Sequence, residues 1–257
     1  MSFEVSGDAY GQFMGRFSTP LARLFADRVT ISAGQTALDV GCGTGALTQV
    51  LVERLGVARV SATDPSQSFL AVMRERFGGI DVRAGRAEAL PFDDDRFDVV
   101  LAQLVVHFMA DPVLGLREMT RVARPGGVVA ANVWDHAGGS GPLAVFWRAA
   151  RAGDPDLADE SHLPGVREGH LAELFAAAGL TDLTAGTLTV EVPHASFEAW
   201  WQPFTLGVGP AGAHVASLDD AARDALKDRC RALLPDGPGV TAASAWTVVG
   251  RVPPARG

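Results

Sequence analysis

The residues best suited to chemistry lie in one short string, Leu38-Asp39-Val40-Gly41-Cys42-Gly43-Thr44-Gly45, and in Asp64 beyond it. Alternate glycines let backbone amides and a following helix N-terminus come close to a ligand, because glycine accepts positive φ and carries no Cβ. An acidic residue roughly 20 positions on, at the end of the next strand, can accept both hydroxyls of a ribose. Together these features point to a nucleoside cofactor, with a tight strand-to-helix turn and a helix cap as the competing structural reading. The spacing narrows the choice further. A dinucleotide fingerprint, G-x-G-x-x-G, sets its third glycine beside a pyrophosphate; here the order is G-C-G-T-G followed by Ala46 and Leu47.

These residues need a strand–turn–helix frame, and the pattern supplies one. From Thr36, short apolar runs alternate with amphipathic stretches, as parallel strands joined by crossover helices do. Strands are expected at Ala37–Gly41, Arg59–Asp64, Ile80–Ala84, Phe97–Ala102 and Val128–Val133, the last after a turn at Arg124-Pro125-Gly126-Gly127. Helices are expected at Ala46–Leu55, at Ser66–Arg76 with the serine as cap, and at about Asp111–Ala123. Beyond Trp134 the pattern loosens. It predicts helices at Leu143–Arg151, Glu168–Ala178 and about Asp219–Leu234, with strands at Thr184–Val192 and Ala243–Val249.

The string Asp39 to Gly45 resembles the D-x-G-x-G-x-G motif of class I S-adenosylmethionine-dependent methyltransferases. The resemblance continues through Asp64-Pro65-Ser66, Ala87-Glu88-Ala89-Leu90-Pro91-Phe92, Phe97-Asp98-Val99-Val100 and Arg124-Pro125-Gly126-Gly127. It implies an α/β, Rossmann-like doubly wound fold. The expected sheet has seven mostly parallel strands with an antiparallel last strand, plus helical lid insertions. One domain over 1–257 is expected: cap helices in 1–35, a cofactor core in 36–134, lids in 135–166 and 193–240, and the sheet completed by 167–192 and 241–250.

The resemblance also implies roles. Gly41, Cys42, Gly43, Thr44 and Gly45 would wrap the methionine portion of S-adenosylmethionine, Asp39 would belong to the same cofactor-binding motif, and Asp64, Pro65 and Ser66 would hold the ribose. Phe69 would lie against the adenine face, with core packing as the competing reading, and Ala87 would offer its amide to the ring. Where the family commonly has G-D-A-E, this chain has Gly85-Arg86-Ala87-Glu88; arginine cannot accept a hydrogen bond, so Glu88 or a carbonyl would replace the acidic contact. Tyr10 and Arg16 resemble the segment that folds over the cofactor, Arg16 reaching the methionine carboxylate. Gln103 and Leu104 leave the fourth strand where the sulfonium should sit.

His107 is the candidate acid or base nearest that strand end, with packing or capping as the competing reading, and Asp135 and His136 stand behind it. Positioning alone can supply much of the rate, so a base is not obligatory. Trp134, Trp147, Trp200 and Trp201 stand in segments expected to overhang the same face and suggest an apolar or aromatic acceptor, the lid's own core being the competing role. The functional expectation is methyl transfer to O, N or C of a small metabolite. Alternatives are an NAD(P)-dependent oxidoreductase and a non-catalytic S-adenosylmethionine-binding module.

Composition excludes several partners. The 257 residues carry 30 acidic against 22 basic side chains, a net charge of −8 that is wrong for a phosphate backbone, so no nucleic acid is expected. No apolar run reaches the ~18 residues of a membrane span, and the N-terminal residues show no leader, so a cytoplasmic monomer or homodimer is expected. Cys42 and Cys230 lack metal-ligand spacing, and metal independence is expected.

Overall fold

The computed structural model describes residues 11–254. A π-type turn, Gly11–Gly15, leads into α1 (Arg16–Val29). There follow β1 (Ala37–Val40), α2 (Ala46–Leu55), β2 (Val60–Asp64), α3 (Gln67–Arg76), β3 (Asp81–Ala84), β4 (Phe97–Gln103), α4 (Pro112–Val122) and β5 (Ala123–Trp134). The remainder is α5 (Ala144–Arg151), α6 (His170–Ala177), β6 (Thr181–His194), α7 (Phe197–Trp201), α8 (Gly209–Ser217), α9 (Asp220–Arg231) and β7 (Gly239–Arg251).

The seven strands form one sheet in the order β3-β2-β1-β4-β5-β7-β6. Strands β1 to β5 pair in parallel, and β7 runs antiparallel to both its neighbours. The chain moves outward from β1 through β2 to β3, then returns to β4 on the other side of β1. Such a reversal opens a crevice beyond the carboxyl ends of β1 and β4, the usual ligand position in open α/β sheets. Central strands are apolar on both faces because helices cover both: all four residues of β1 are buried. One face packs Phe25 and Val29 of α1 against Leu47, Val50 and Leu51 of α2. The other carries Leu116 and Met119 of α4 with Leu171 and Phe175 of α6.

Helix starts follow their caps. Ser66 Oγ accepts from Phe69 N at 3.4 Å, Asp111 Oδ1 from Leu114 N at 3.0 Å and Asp219 Oδ1 from Ala222 N at 2.8 Å. Several boundaries differ from the sequence pattern: the strands expected at Thr184–Val192 and Ala243–Val249 run longer, over Thr181–His194 and Gly239–Arg251. The helix expected from Glu168 begins at His170, because Gly169 takes φ +78°, outside the helical region. The expected turn Arg124–Gly127 instead belongs to β5: Phe97 pairs with Ala123 and Val99 with Val128, so these residues bulge within the ladder. Gly127 is required there, since a Cβ would stand 2.7 Å from the Arg124 carbonyl oxygen.

Helices α7 and α8 were not visible in the sequence pattern, where Trp, Pro and Gly obscure the helical period. With α5 and α9 they enclose a separate aromatic cluster: Phe146 stacks on Phe204 at 4.7 Å between centroids, and Leu226 and Cys230 close it. Among the described residues, no helix is long and apolar enough to cross a membrane.

Candidate active site

The turn after β1 is held by its neighbour strand. The amides of Gly41 and Cys42 both donate to the Thr63 carbonyl, at 2.8 and 3.0 Å. Gly41, Gly43 and Gly45 all have positive φ, but for different reasons. A Cβ on Gly41 would stand 2.5 Å from Val105 Cγ2, and one on Gly45 2.5 Å from the Phe77 ring; at Gly43 nothing lies within 4 Å. The outer two glycines are demanded by packing, while Gly43 faces open space that a ligand can approach. Cys42 is buried, and burial beside Asp39 and Asp64 pushes its thiol well above the ordinary value, so it is not a nucleophile.

Asp64 ends β2 beside this turn. Its Oδ2 accepts from Gly43 N at 3.0 Å and its Oδ1 from Ser66 N at 2.8 Å, joining the glycine turn to the start of α3. Burial raises its pKa, and these two amides oppose the rise. Each oxygen keeps a lone pair for a hydroxyl donor. Pro65 is exposed at this corner.

Asp39 lies beneath, fully enclosed, accepting from Thr48 Oγ1 at 2.6 Å. Burial raises its pKa to about 7, the Thr48 bond opposing and Asp64 adding to the rise. An acid whose folded pKa exceeds its unfolded value near 4 holds its proton more tightly when folded, so its contribution to stability is lost as pH rises from about 4 to about 7. Asp39→Asn keeps the acceptor and removes the ionisation. In urea unfolding of the ligand-free protein it should match the wild type near pH 4 and gain roughly 1–3 kcal/mol at pH 8. A difference independent of pH would rule out this origin.

The N-terminal segment stands over the turn, with Gly11, Gly15 and Ser18 facing Thr44 and Ala46 across an open groove. Arg16 is half-buried with its guanidinium 5.0 Å from the Phe17 ring centroid, and its buried Nε has no partner among the described residues. Burial lowers its pKa. A cation so placed suits an anionic group such as a carboxylate. Tyr10 lies outside the described residues. Gln103 Nε2 donates to the Ser18 carbonyl at 3.0 Å, fastening α1 across the end of β4.

Phe69 and Ala87, expected on the adenine side, are buried. The expected replacement of the acidic contact by Glu88 meets a constraint. Its Oε1 accepts from Ala110 N at 2.7 Å and its Oε2 lies 3.6 Å from Arg86 Nε, so the carboxylate is turned toward the loop before α4.

Leu104 adopts φ +61°, an uncommon conformation for a branched side chain. Its amide donates to Asn132 O at 3.0 Å, and the kink sets its side chain on the wall of a cavity. Phe13, Trp134 and Leu143 give that cavity apolar walls, and His107, His136 and Glu160 are its polar groups. His107 is 4% exposed, and its Nδ1 has no partner among the described residues. Burial and His136 hold its pKa well below the usual imidazole value, and burial takes His136 down to about 4, so both rings are neutral at pH 7.

The four tryptophans separate. Trp134 lines this cavity, and Trp147 a smaller one that shares Glu160 and His136 with it. Trp200 and Trp201 pack into the aromatic cluster, with centroids 4.8 and 6.0 Å from Phe204. For these two the structure favours the competing role, the lid's own core, over a place on the cavity wall. Asp135 is likewise structural: it accepts from Gly138 N, Ser140 Oγ and Trp246 Nε1 at 2.7, 2.6 and 3.1 Å. Glu160 escaped sequence reasoning, because Asp159-Glu160-Ser161-His162 reads as a solvated polar loop. Among the described residues there is no group of three or more His, Cys, Asp or Glu arranged to hold a metal ion.

Comparison with known proteins agrees with this geometry. Residues 38–131 match the family model described as "Methyltransferase domain". The chain is 32% identical over 181 residues to a demethylmenaquinone methyltransferase of Shouchella clausii, covering 63% of this chain and 77% of that one. The YcgJ protein of Bacillus subtilis superposes with a TM-score of 0.57 at 19% identity, over 90% of this chain and 97% of its own. The phosphoethanolamine N-methyltransferase 2 of Haemonchus contortus, solved with phosphomonomethylethanolamine and S-adenosylhomocysteine, superposes with a TM-score of 0.57 at 17% identity, over 97% of this chain and 60% of its own. The chain belongs to the class I S-adenosylmethionine-dependent methyltransferases.

Proposed function

We propose that this methyltransferase holds S-adenosylmethionine between the Gly41–Gly45 turn, Asp64 and Arg16, and methylates a small acceptor with an apolar body seated in the cavity lined by Leu104. One observation carries this reading. Val105 packs on Gly41 while its neighbour Leu104 lines the cavity, so the glycine turn and the cavity share a wall two residues thick. When bound, the cofactor supplies an electrophilic methyl group on a sulfonium. The chain's task is then to hold an acceptor atom in line with it, and apolar walls that exclude water favour that. Asp64 offers lone pairs to the ribose hydroxyls, Arg16 its unpartnered guanidinium nitrogen to the methionine carboxylate, and Ala87 and Phe69 the adenine side. The residues 135–166 and 193–240 act as lids on one decorated domain. The quinone named for the Shouchella relative supports an acceptor with an apolar body.

Calorimetric titration with S-adenosylhomocysteine tests the cofactor assignment; a folded protein that fails to bind it would overturn it. Incubation with labelled S-adenosylmethionine and a metabolite extract tests the acceptor class. The expected result is label in a small apolar product, and label only in protein or nucleic acid would refute the proposal.

A further inference from the structure

We propose that Glu160 is the acceptor-binding residue of this cavity and that the acceptor is an amine carried on an apolar body, bound as its ammonium form. This rests on the methyltransferase reading above and names the substrate class of the same site. Glu160 is 5% exposed, and its Oε2 has no hydrogen-bond partner among the described residues. It lines both this cavity and the smaller one beside it, so the residue belongs to the wall they share. A buried acid without a cation is costly unless something pairs with it. Among the described residues that line the two cavities, none is a free cation. Arg151 reaches the smaller cavity but is paired with Asp159; Asp135 is an acid held by its three donors; His136 and His107 are neutral. An ammonium group would satisfy the carboxylate, while the faces of Phe13 and Trp134 suit a cation and its apolar substituent. The unpartnered Nδ1 of His107 is a second acceptor for an ammonium proton when the imidazole carries its own proton on Nε2. An anionic acceptor would meet like charge instead.

The same carboxylate can release the nucleophile. The ammonium gives one proton to Glu160 Oε2; the freed nitrogen lone pair then forms the N–C bond to the methyl carbon as the C–S bond breaks, its electron pair remaining on sulfur. Burial raises the Glu160 pKa to about 7, Asp159 adding to the rise and Trp147 opposing it, which places the group where it can take and return a proton near neutrality.

The test is equilibrium binding, followed by tryptophan fluorescence, to the protein saturated with S-adenosylhomocysteine. The probes are 2-phenylethylamine and its neutral isostere 2-phenylethanol. At pH 8 the amine should bind at least about tenfold tighter, and its advantage should fade below pH 7 as Glu160 protonates. Glu160→Gln should abolish the preference, leave the alcohol unchanged and leave S-adenosylhomocysteine affinity intact. Equal binding of the two probes to the wild type, tighter binding of the alcohol, or binding of neither overturns the proposal. So does a variant that weakens both alike. If Glu160→Gln fails to fold, the wild-type comparison and its pH profile decide alone. Failure to bind S-adenosylhomocysteine would count against the methyltransferase site, and the amine preference can still be read without it.

Discussion

Gly45→Ala is expected to cost about 2–4 kcal/mol of stability, whereas Gly43→Ala, two positions earlier, stays within about 1–2 kcal/mol of the native fold and damages ligand binding instead. Both residues have positive φ, so alanine pays the left-handed backbone penalty at either. The difference is in what the new methyl meets. At Gly45 it would lie 2.5 Å from the Phe77 ring and 2.7 Å from Met73 Sδ, both buried in the packing of α3 against the sheet. Neither neighbour can retreat without opening that contact. At Gly43 the methyl would enter the open space beside Asp64, where the ligand must approach. Urea denaturation with calorimetric titration separates the two effects: Gly43→Ala should weaken S-adenosylhomocysteine binding at least about tenfold. Equal stability losses, or unaltered affinity in Gly43→Ala, would refute this division of labour.

Asp64→Ala should weaken S-adenosylhomocysteine binding by roughly 1–3 kcal/mol, about 5- to 150-fold in Kd. Two losses combine. The ribose hydroxyls lose a charged acceptor, and the amides of Gly43 and Ser66 lose the group that fixes the turn relative to α3. Asp64→Asn retains one acceptor oxygen and should fall between the wild type and alanine. Affinity unchanged in Asp64→Ala would remove this residue from the site.

The glycine turn was legible because local rules decide it. The strand, the turn, the capping serine and the acid at Asp64 each follow from neighbours within a few residues, and the sheet sets the Asp64 carboxylate against the Gly43 amide. The cavity at Leu104 follows from long-range packing. Nothing near Glu160 in sequence reports that it is buried, since its enclosure comes from α5, the loop after β5 and the segment before α8. Trp200 and Trp201 carried the right chemistry for an acceptor wall, but Phe146 and Phe204 claim their faces. Likewise nothing near Gln103 in sequence reports that its Nε2 ties α1 to the end of β4.

The long β6–β7 ladder has a consequence for how such an enzyme can change. His194, the last residue of β6, is paired with Gly239, the first of β7, so the whole aromatic insertion between them begins and ends on facing partners about 5 Å apart. It occupies the position of a hairpin turn. The entropy of closing such a loop grows slowly with its length, about 0.6 kcal/mol for each doubling. Residues can therefore be added, removed or rewritten between these two points with little effect on the register of the strands below. Of this attachment only Val208, Gly209 and Pro210 reach the cavity at Leu104, so most of it can be rewritten without touching the cavity wall.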